Sequence, residues 1–328
     1  MAAAFTTSST LPVTTTTTGD DLSRINAHLF LSGIQPSQNL PLLLKNGITE
    51  VLSVGPAFDT RFEKEIRYHS VHIDDISWAD ILQHFDETYT VISDAATSGG
   101  RILVHCVAGV SRSAAIIAAY LMKSQNLTRG EALAIVASAR PIIAPNSGFM
   151  FQLKLYHAMN YTVDRSFPDY RLFRIRALAR RKLGVSHVEA EEDAFRYGGV
   201  GTDSLATTAS TATTEWVGSG SSAQTLATVI RCRKCRRVLQ DGVNVMRHAG
   251  RCAFVHVEPM RWISGIDGDP DAEAAGDGRI VCPNTRCGAK LGSWCWAGAA
   301  CSCGTWVWPS FALHASKIDE IRVTRQQF

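Results

Sequence analysis

The fold of this 328-residue chain is constrained most by residues 105–113, which form a loop between a short apolar strand and an apolar helix. Residues 101–105 predict a buried strand of the parallel type, and residues 113–123, apolar on almost every side, predict a buried helix. In α/β folds such a loop binds anions, because free backbone N–H groups converge there and the helix dipole adds positive potential. The sequence therefore predicts a phosphate-sized anion site in this loop.

Each polar side chain in the loop has a chemical reason to be there. Cys106 is the predicted nucleophile, because the N–H groups, the helix dipole and Arg112 favour its thiolate and bring its pKa below the free value of about 8.5. Attack on phosphorus would give a phosphocysteine intermediate. Arg112 offers paired donors that match two phosphoryl oxygens. The Ser113 hydroxyl can donate to the sulfur and ease its departure, and His105 is expected to orient the loop rather than act as a base.

The residues between the cysteine and the arginine are predicted to bind phosphate together with Arg112. They are Val107, Ala108, Gly109, Val110 and Ser111. Gly109 permits a backbone conformation that turns N–H groups inward. Uncharged residues at the variable positions favour a phosphoprotein over a phosphoinositide or an RNA 5′-phosphate. The alternative, a buried structural cysteine beside an incidental arginine, does not account for so many fixed residue types at fixed offsets.

The segment resembles the signature of the cysteine-based protein phosphatases, and its Ala-Gly-Val-Ser-Arg-Ser form is similar to the dual-specificity branch. Residues 29–33 and 47–54 resemble that family's opening strands, and residues 145–153 its closing helix, in which Asn146 would support the phosphate loop. The resemblance implies an α/β fold, with a central, largely parallel sheet flanked by helices. It also implies hydrolysis of phosphotyrosine and phosphoserine or phosphothreonine without a catalytic metal.

A general acid is needed to protonate the leaving oxygen. The candidates are Asp74 and Asp75, which follow a strand predicted at residues 71–73. The spacing from the nucleophile in the resembled family, and the Asp-Ile-Leu that begins at Asp80, favour Asp75, with Asp74 as the alternative. An ordinary solvated Asp-Asp turn is the other interpretation, and the cysteine loop makes it the weaker one.

The second half of the chain predicts metal binding, because eight of the nine cysteines lie beyond residue 231. Zinc takes four sulfur or nitrogen ligands tetrahedrally, often from paired cysteines on tight turns. The first predicted zinc site uses Cys232, Cys235, His248 and Cys252, with His256 or His314 as substitutes for the histidine. The second uses Cys282, Cys287, Cys301 and Cys303, which leaves Cys295 as a packed thiol. A disulfide framework is the alternative, but nothing in the sequence supports an oxidising compartment.

The cysteine-rich half resembles the zinc-binding domain of the Yvh-type dual-specificity phosphatases. The similarity lies in residues 232–237, in Cys282-Pro283 and in residues 290–294, although four residues rather than the usual two separate Cys282 from Cys287. This resemblance implies an association with maturation of the large ribosomal subunit. An assembly factor that binds a pre-ribosomal particle through its zinc domain, in the nucleus and cytoplasm, is therefore the alternative function.

A cluster of basic residues lies on a helix predicted after residue 165. Its members are Arg171, Arg174, Arg176, Arg180, Arg181 and Lys182. Such a cluster can meet RNA or an acidic protein surface. A solvated helix face with some apolar packing is an equally good interpretation, and the net charge of +3 does not decide between them.

The domain boundaries follow from composition. Residues 1–19 predict a disordered tail rich in Thr and Ser, and their lack of basic residues and of an apolar core does not support secretion or mitochondrial import. Residues 20–165 predict the catalytic domain, 166–228 a basic helix and flexible linker, and 229–328 a small β-rich zinc-binding domain. No apolar run approaches the roughly twenty residues of a membrane span.

Overall fold

The computed structural model describes residues 22–184, 226–241, 245–246, 252–266 and 276–324. The chain divides into two compact units, residues 1–165 and 166–328. The predicted N-terminal tail and most of the predicted linker lie outside the described residues, as does His248. No helix in the described ranges is long and apolar enough to cross a membrane.

The first unit is built on a five-stranded sheet of order β1-β2-β5-β3-β4. Its strands are β1 (Ser23–Arg24), β2 (Leu29–Ser32), β3 (Glu50–Val54), β4 (Arg67–Val71) and β5 (Ile102–His105). The central strand β5 is parallel to β2 and β3, and β4 is parallel to β3, whereas β1 is an antiparallel edge strand. Every residue of β2, β3 and β5 is buried, as is typical of a parallel sheet flanked by helices.

This sheet confirms the predicted α/β fold, with one difference at its edge. The strand expected at residues 71–73 lies earlier, at Arg67–Val71, and pairs only with β3 among the described strands. Four of its five residues are exposed or partly exposed and only Val71 is buried, because an edge strand meets solvent. An apolar run therefore does not mark it in the sequence.

Helices flank the sheet of the first unit. They are α1 (Ile34–Ser37), α2 (Leu40–Lys45), α3 (Phe85–Thr97), α4 (Arg112–Gln125), α5 (Arg129–Ala139) and α6 (Ser147–Ala158), with a 3-10 turn at Leu82–His84 before α3. Helix α4 follows the carboxyl end of β5 and is buried from Arg112 to Met122, which confirms the predicted buried helix. Helix α5 opens with a capping box formed by Thr128 and Glu131, and Asn146 caps α6.

A carboxylate joins three of these helices. Asp86 on α3 accepts hydrogen bonds from Lys123 of α4 (2.7 Å), from the Tyr156 hydroxyl of α6 (3.0 Å) and from the backbone N–H of Val163 (2.7 Å). Burial is the largest single effect on this carboxyl and raises its pKa. The three donors together outweigh burial, so the pKa of Asp86 lies below its ordinary value.

We expect Asp86→Asn to lower the free energy of unfolding by about 1–2 kcal/mol at neutral pH, because hydrogen bonds to a charged acceptor are lost from a partly exposed site. A depressed folded-state pKa stabilises the fold above the ordinary aspartate pKa of about 4, and that stability is lost as the pH falls further. Urea unfolding followed by the helical circular dichroism signal measures the difference between variant and wild type at each pH. The exposed Asp94→Asn on the same helix is the control, and a difference that persists unchanged to pH 2 would contradict the assignment.

The second unit begins with helix α7 (Pro168–Leu183) and is otherwise β-rich. Its strands are β6 (Leu226–Cys232), β7 (Val238–Asp241), β8 (Val245–Met246), β9 (Phe254–Val257), β10 (Asp277–Val281), β11 (Lys290–Cys295), β12 (Ala299–Ala300), β13 (Trp306–Val307), β14 (Ser310–His314) and β15 (Ile318–Thr324). They form antiparallel sheets of order β10-β11-β14-β9-β8, β15-β6-β7 and β12-β13. The core holds Trp294, Trp296 and Phe311, with ring centroids of Trp296 and Phe311 5.0 Å apart.

Helix α7 packs against this core rather than presenting all of its charge to solvent. Ala179 belongs to the same buried cluster. Arg171 forms an ion pair with Glu258 at 2.6 Å. Nε of Arg176 donates to the Trp308 carbonyl at 3.4 Å, and the Arg180 guanidinium lies 5.1 Å from the centroid of the Trp308 ring. Contacts within the second unit therefore account for three arginines of the basic cluster, in agreement with the interpretation that this helix packs against its own unit.

Candidate active site and cysteine groups

The sulfur of Cys106 lies at the carboxyl end of β5, at the start of the loop that leads into α4. The residue is 1% exposed. The Ser113 hydroxyl donates to Sγ at 3.1 Å, and the Gly109 N–H donates at 3.2 Å. Burial is the largest single effect and raises the pKa of the thiol, but hydrogen bonds from Ser113, Val110 and Gly109 outweigh it and lower the pKa. The loop therefore favours the thiolate that the sequence predicts.

Arg140 holds this loop from its outer side. The side chain is 4% exposed; Nε donates to the Gly109 carbonyl at 2.9 Å and Nη2 to the Ala108 carbonyl at 3.0 Å. In a trans peptide the C=O and the following N–H point in opposite directions. Two carbonyls that face Arg140 therefore turn the N–H groups of Gly109 and Val110 toward the sulfur.

Neighbouring backbone fixes the same loop at three further points. The Ile34 N–H donates to the Val107 carbonyl at 3.0 Å, and the Ala144 N–H donates to the Val110 carbonyl at 2.9 Å. Gly109 has a φ of +68°, and a Cβ there would lie 2.5 Å from the carbonyl of Ser32. Only glycine satisfies both the left-handed backbone and this close approach.

Arg112 is the first residue of α4 and directly follows the loop that begins at Cys106, with only 7% of its surface exposed. Its Nη1 donates to the Ile73 carbonyl at 3.3 Å, and its Nε lies 3.5 Å from Oδ2 of Asp75. Among the described residues, no hydrogen-bond acceptor meets this buried Nε. A buried guanidinium with an unused donor is suited to a bound phosphoryl oxygen.

His105 is a fixed neutral group. Its Nε2 lies 2.8 Å from the Ser53 hydroxyl on β3, and its Nδ1 lies 3.2 Å from the Cys106 carbonyl. The carbonyl only accepts, so Nδ1 carries the hydrogen and Ser53 donates to Nε2. Burial lowers the pKa of His105 to about 4. The geometry agrees with an orienting role for the ring.

Asp74 and Asp75 are both exposed, but among the described residues only Asp75 makes hydrogen bonds to the loop and its support. The Ser111 hydroxyl donates to Oδ1 of Asp75 at 2.6 Å, and the side-chain amide of Asn146 donates to the same oxygen at 2.8 Å. Of the two aspartates, Asp75 is the one that the structure brings to the cysteine loop. Asn146 contacts the loop through its backbone N–H, which donates to the Ser111 hydroxyl at 3.1 Å.

Sequence reasoning missed two residues of this site. Arg140 lies 34 positions beyond the nucleophile at the end of α5, and Ser53 lies on a strand that is distant in the chain but adjacent to β5 in the sheet. Neither carries a local pattern that distinguishes it from an ordinary polar residue. For Arg140, the only sequence signal is the position of an arginine between an apolar helix and Pro141.

We expect Arg140→Met to slow alkylation of Cys106 by iodoacetamide about 10-fold at pH 6, because freed carbonyls relax the N–H groups that stabilise the thiolate. Peptide mapping by mass spectrometry separates Cys106 from the other cysteines. Arg129→Met is the matched control, since Arg129 donates to the Met150 carbonyl and not to the loop. Equal alkylation rates in the wild type and in Arg140→Met would show that the arginine does not set the reactivity of the sulfur.

Four cysteines of the second unit come together as one group. Cys232, Cys235, Cys282 and Cys287 have sulfur atoms that all lie within 4.8 Å of one another. The first pair lies at the turn between β6 and β7, the second at the turn between β10 and β11. Arg236 at φ 63° and Gly288 at φ 56° close these turns. A backbone hydrogen bond from Arg237 lowers the pKa of Cys235 to about 6.

A second group contains Cys252, Cys301 and Cys303, whose sulfur atoms also lie within 4.8 Å of one another. The predicted pairing is therefore wrong: Cys252 does not join Cys232 and Cys235, and Cys282 and Cys287 do not join Cys301 and Cys303. Turns that are consecutive in the chain are separated in space by the strand order of the sheets. Neither His256 nor His314 belongs to either group among the described residues, and Cys295 stands outside both.

Both groups have the donor chemistry of a metal site. Four thiolates match the tetrahedral ligand set of structural zinc, and the three-cysteine group would need one further ligand. His248, the histidine predicted from spacing, lies outside the described residues. No disulfide joins any of these cysteines, so the groups can hold metal ions.

Comparison with known proteins agrees with this geometry. The model for the catalytic domain of dual specificity phosphatases matches residues 29–159. The chain is 31% identical to tyrosine-protein phosphatase yvh1 of Schizosaccharomyces pombe, over 92% of this chain and 86% of that protein. It is 31% identical to dual specificity protein phosphatase 12 of Mus musculus, over 90% of this chain and 87% of that protein.

A solved structure, the Yvh1 phosphatase domain from Chaetomium thermophilum, is 32% identical and matches 44% of this chain and 99% of that chain, with a TM-score of 0.40. The two curated relatives, by contrast, match both the catalytic and the cysteine-rich parts of the chain. On those nearly full-length matches, the chain belongs to the Yvh-type family of dual-specificity protein phosphatases.

Proposed function

We propose that Cys106 attacks the phosphorus of phosphotyrosine, phosphoserine or phosphothreonine in a protein and forms a phosphocysteine. The environment of the Cys106 sulfur carries this proposal. The sulfur is buried and accepts hydrogen bonds from Ser113 and Gly109, and Arg112 has a buried Nε donor without a hydrogen-bond acceptor among the described residues. The inward N–H groups and Arg112 hold the phosphoryl oxygens as charge moves onto them. Asp75 gives a proton to the leaving oxygen.

The second step releases phosphate. Water attacks the phosphocysteine, and the Asp75 carboxylate formed in the first step takes a proton from it. The Ser113 hydroxyl stabilises the departing thiolate through the hydrogen bond that it already makes to Sγ. His105 remains neutral throughout, because burial keeps its pKa at about 4. No step requires a metal ion.

We expect Asp75→Asn to lower kcat/KM on a phosphothreonine peptide by about 100-fold or more, because a strongly basic alkoxide then leaves without a proton. The loss on a phosphotyrosine peptide is smaller, since a phenoxide is a better leaving group. Release of inorganic phosphate from both peptides measures this. Asp74→Asn is the matched control, and a larger loss in that variant would transfer the acid role to Asp74.

We also propose that the second unit holds two structural zinc ions. The four-cysteine group supplies a complete ligand set for one ion. The three-cysteine group would hold the other together with one further ligand. Cys232 and Cys282 belong to the buried core of the unit, so an ion at the first group stabilises the packing of the β-strands around it.

A second candidate function, assembly of the large ribosomal subunit in the nucleus and cytoplasm, is supported by the charge around the four-cysteine group. Exposed basic residues lie within or beside both turns: Lys234, Arg237, Arg286, Lys290 and Lys317. A neighbouring cavity of about 600 Å³ is lined in part by Lys234, Lys290 and Lys317, with no carboxylate among its described lining residues. Such a surface suits a polyanionic partner such as an RNA–protein particle.

Complementation separates the two functions. In cells that lack the native protein, growth rescued by Cys106→Ser but not by Cys232→Ser would assign the biological role to the second unit. The reverse pattern would assign it to catalysis. Co-sedimentation of each variant with pre-ribosomal particles shows directly whether the second unit carries the binding.

A further inference from the structure

The exposed surface beside the phosphate loop, residues 106–112, is apolar. Val107 and Ala108 directly follow the nucleophile, and Val107 is 48% exposed. The segment after α5 contributes Pro141, Ile142 and Ala144, and Ile142 is 46% exposed. We call these five exposed residues the apolar rim. Two large apolar side chains of the rim are therefore in extensive contact with water in the free protein.

Hydrogen bonds hold the two parts of the apolar rim side by side. Arg140 donates to two carbonyls of the phosphate loop, at 2.9 and 3.0 Å. The Ala144 N–H donates to a third loop carbonyl, that of Val110, at 2.9 Å. The segment 141–143 between these two anchors is therefore fixed against the loop that begins at Cys106.

The apolar rim carries no charge. Residues 107–111 and 141–146 include no aspartate, glutamate, lysine, arginine or histidine. Arg140 precedes the rim, but it is 4% exposed and is bound to loop carbonyls. An acidic side chain placed on the rim would lose water without gaining a cation from it. An apolar side chain would instead remove its own surface and that of the rim from water.

We propose that the apolar rim binds an apolar side chain of the phosphoprotein, within two residues of the phosphorylated one. Val107 is adjacent to the nucleophile in the chain, and successive residues of an extended peptide are about 3.3 Å apart. The neighbours of a phosphorylated residue held at Cys106 therefore reach the rim. This inference rests on the proposed function. It makes Ile142 a specificity residue that takes no part in the breaking of the phosphate ester.

Paired phosphotyrosine peptides test the proposal on the full-length protein. Each pair differs at one of the two positions before or the two positions after the phosphotyrosine, with leucine in one peptide and aspartate in the other. We expect kcat/KM of the wild type to be about 10-fold higher for the leucine peptide at one or more of these positions. The difference should lie mainly in KM, because the flanking side chain binds equally in the ground state and the transition state.

Substitution of Ile142 should change this preference without changing the chemistry. Ile142→Ser should lower kcat/KM on the preferred leucine peptide about 5-fold. It should leave p-nitrophenyl phosphate within about 2-fold, because that substrate has no flanking residue. Ile142→Lys should reverse the preference in favour of the aspartate peptide, and added salt should weaken the reversal. A reversed preference is a gain that misfolding cannot produce.

Leu44→Ser is the matched control and should change neither the peptide preference nor the rate on p-nitrophenyl phosphate. Leu44 is 53% exposed and lies on α2. The residue that follows this helix, Asn46, accepts a hydrogen bond from Arg101 at 2.7 Å. Arg101 precedes β5 and Cys106 follows it, so the control lies near the opposite end of that strand.

Equal kcat/KM for leucine and aspartate peptides in the wild type would overturn this inference and leave the proposed function intact, as would an Ile142→Lys protein that still prefers leucine. Gel filtration checks the other occupant. A wild-type dimer that dissociates in Ile142→Ser, with the peptide preference unchanged, would assign the apolar rim to a contact between two copies instead. If the wild type releases no phosphate from any of these substrates, or if Cys106→Ser retains the wild-type rate, the proposed function itself fails.

Discussion

Cys106→Ser is expected to lower turnover of aryl phosphates and phosphopeptides by about 10⁴-fold or more, since removal of a covalent nucleophile costs this much in comparable enzymes. The physical reason is ionisation. The Ser113 hydroxyl and the inward N–H groups stabilise a thiolate, but a serine hydroxyl keeps its proton under the same influence. Arg112 and the loop N–H groups are unchanged, so the variant should still bind phosphopeptides.

Phosphate release over hours, with binding measured by isothermal calorimetry, checks both parts of this result. Cys295→Ser is the matched control, because it makes the same atomic change at a cysteine outside the catalytic loop and outside both cysteine groups. Turnover that survives Cys106→Ser would refute the phosphocysteine route. Loss of peptide binding together with turnover would indicate that the variant damages the loop rather than the chemistry alone.

Cys282→Ser is expected to remove one metal ion per chain and to unfold much of the second unit. Zinc binding to structural cysteine sites contributes about 10–16 kcal/mol, which is as large as the whole stability of a typical domain, about 5–15 kcal/mol. Cys282 is 5% exposed within the core that holds Trp294 and Trp296. Because every group of the Cys106 site lies in the first unit, activity on a small aryl phosphate should change by no more than about 2-fold.

Elemental analysis gives the metal content, and limited proteolysis with tryptophan fluorescence reports the state of the second unit. Cys295→Ser again serves as the control and should keep all of its metal. A Cys282→Ser protein that retains its metal and resists protease would show that the four sulfur atoms are not a ligand set. Treatment with a chelator should reproduce the unfolding without loss of aryl phosphatase activity.

The catalytic loop could be predicted from sequence because its chemistry is local. Strand, cysteine, arginine and helix follow one another within 25 residues, from Arg101 to Gln125, and each leaves a pattern in residue type or periodicity. Asp75 could not be predicted from local chemistry alone, because the expected spacing between the general acid and Cys106 comes from the resembled family. The contacts that select it over Asp74 are made by Ser111 and Asn146 and depend on tertiary structure.

The prediction of which cysteines lie together was wrong because it depends on strand topology. Each turn with paired cysteines is visible in the sequence, but the choice of partner turn depends on which strands lie side by side. Hairpin β6-β7 and hairpin β10-β11 bring their turns together although more than 40 residues separate them. Spacing alone cannot settle such connectivity. Arg140 was missed for the same reason, because its partners are backbone carbonyls that no sequence pattern reveals.

The interleaving of the two cysteine groups also governs the order in which the second unit can mature during synthesis. A nascent chain that has emerged only as far as residue 281 carries two of the four cysteines of the first group and one of the three cysteines of the second, so neither group is complete. Emergence of Cys287 completes the first set, and Cys303 adds the last cysteine of the second. A premature stop codon between residues 166 and 303 therefore leaves at least one cysteine group incomplete, even though the entire catalytic unit has already been made.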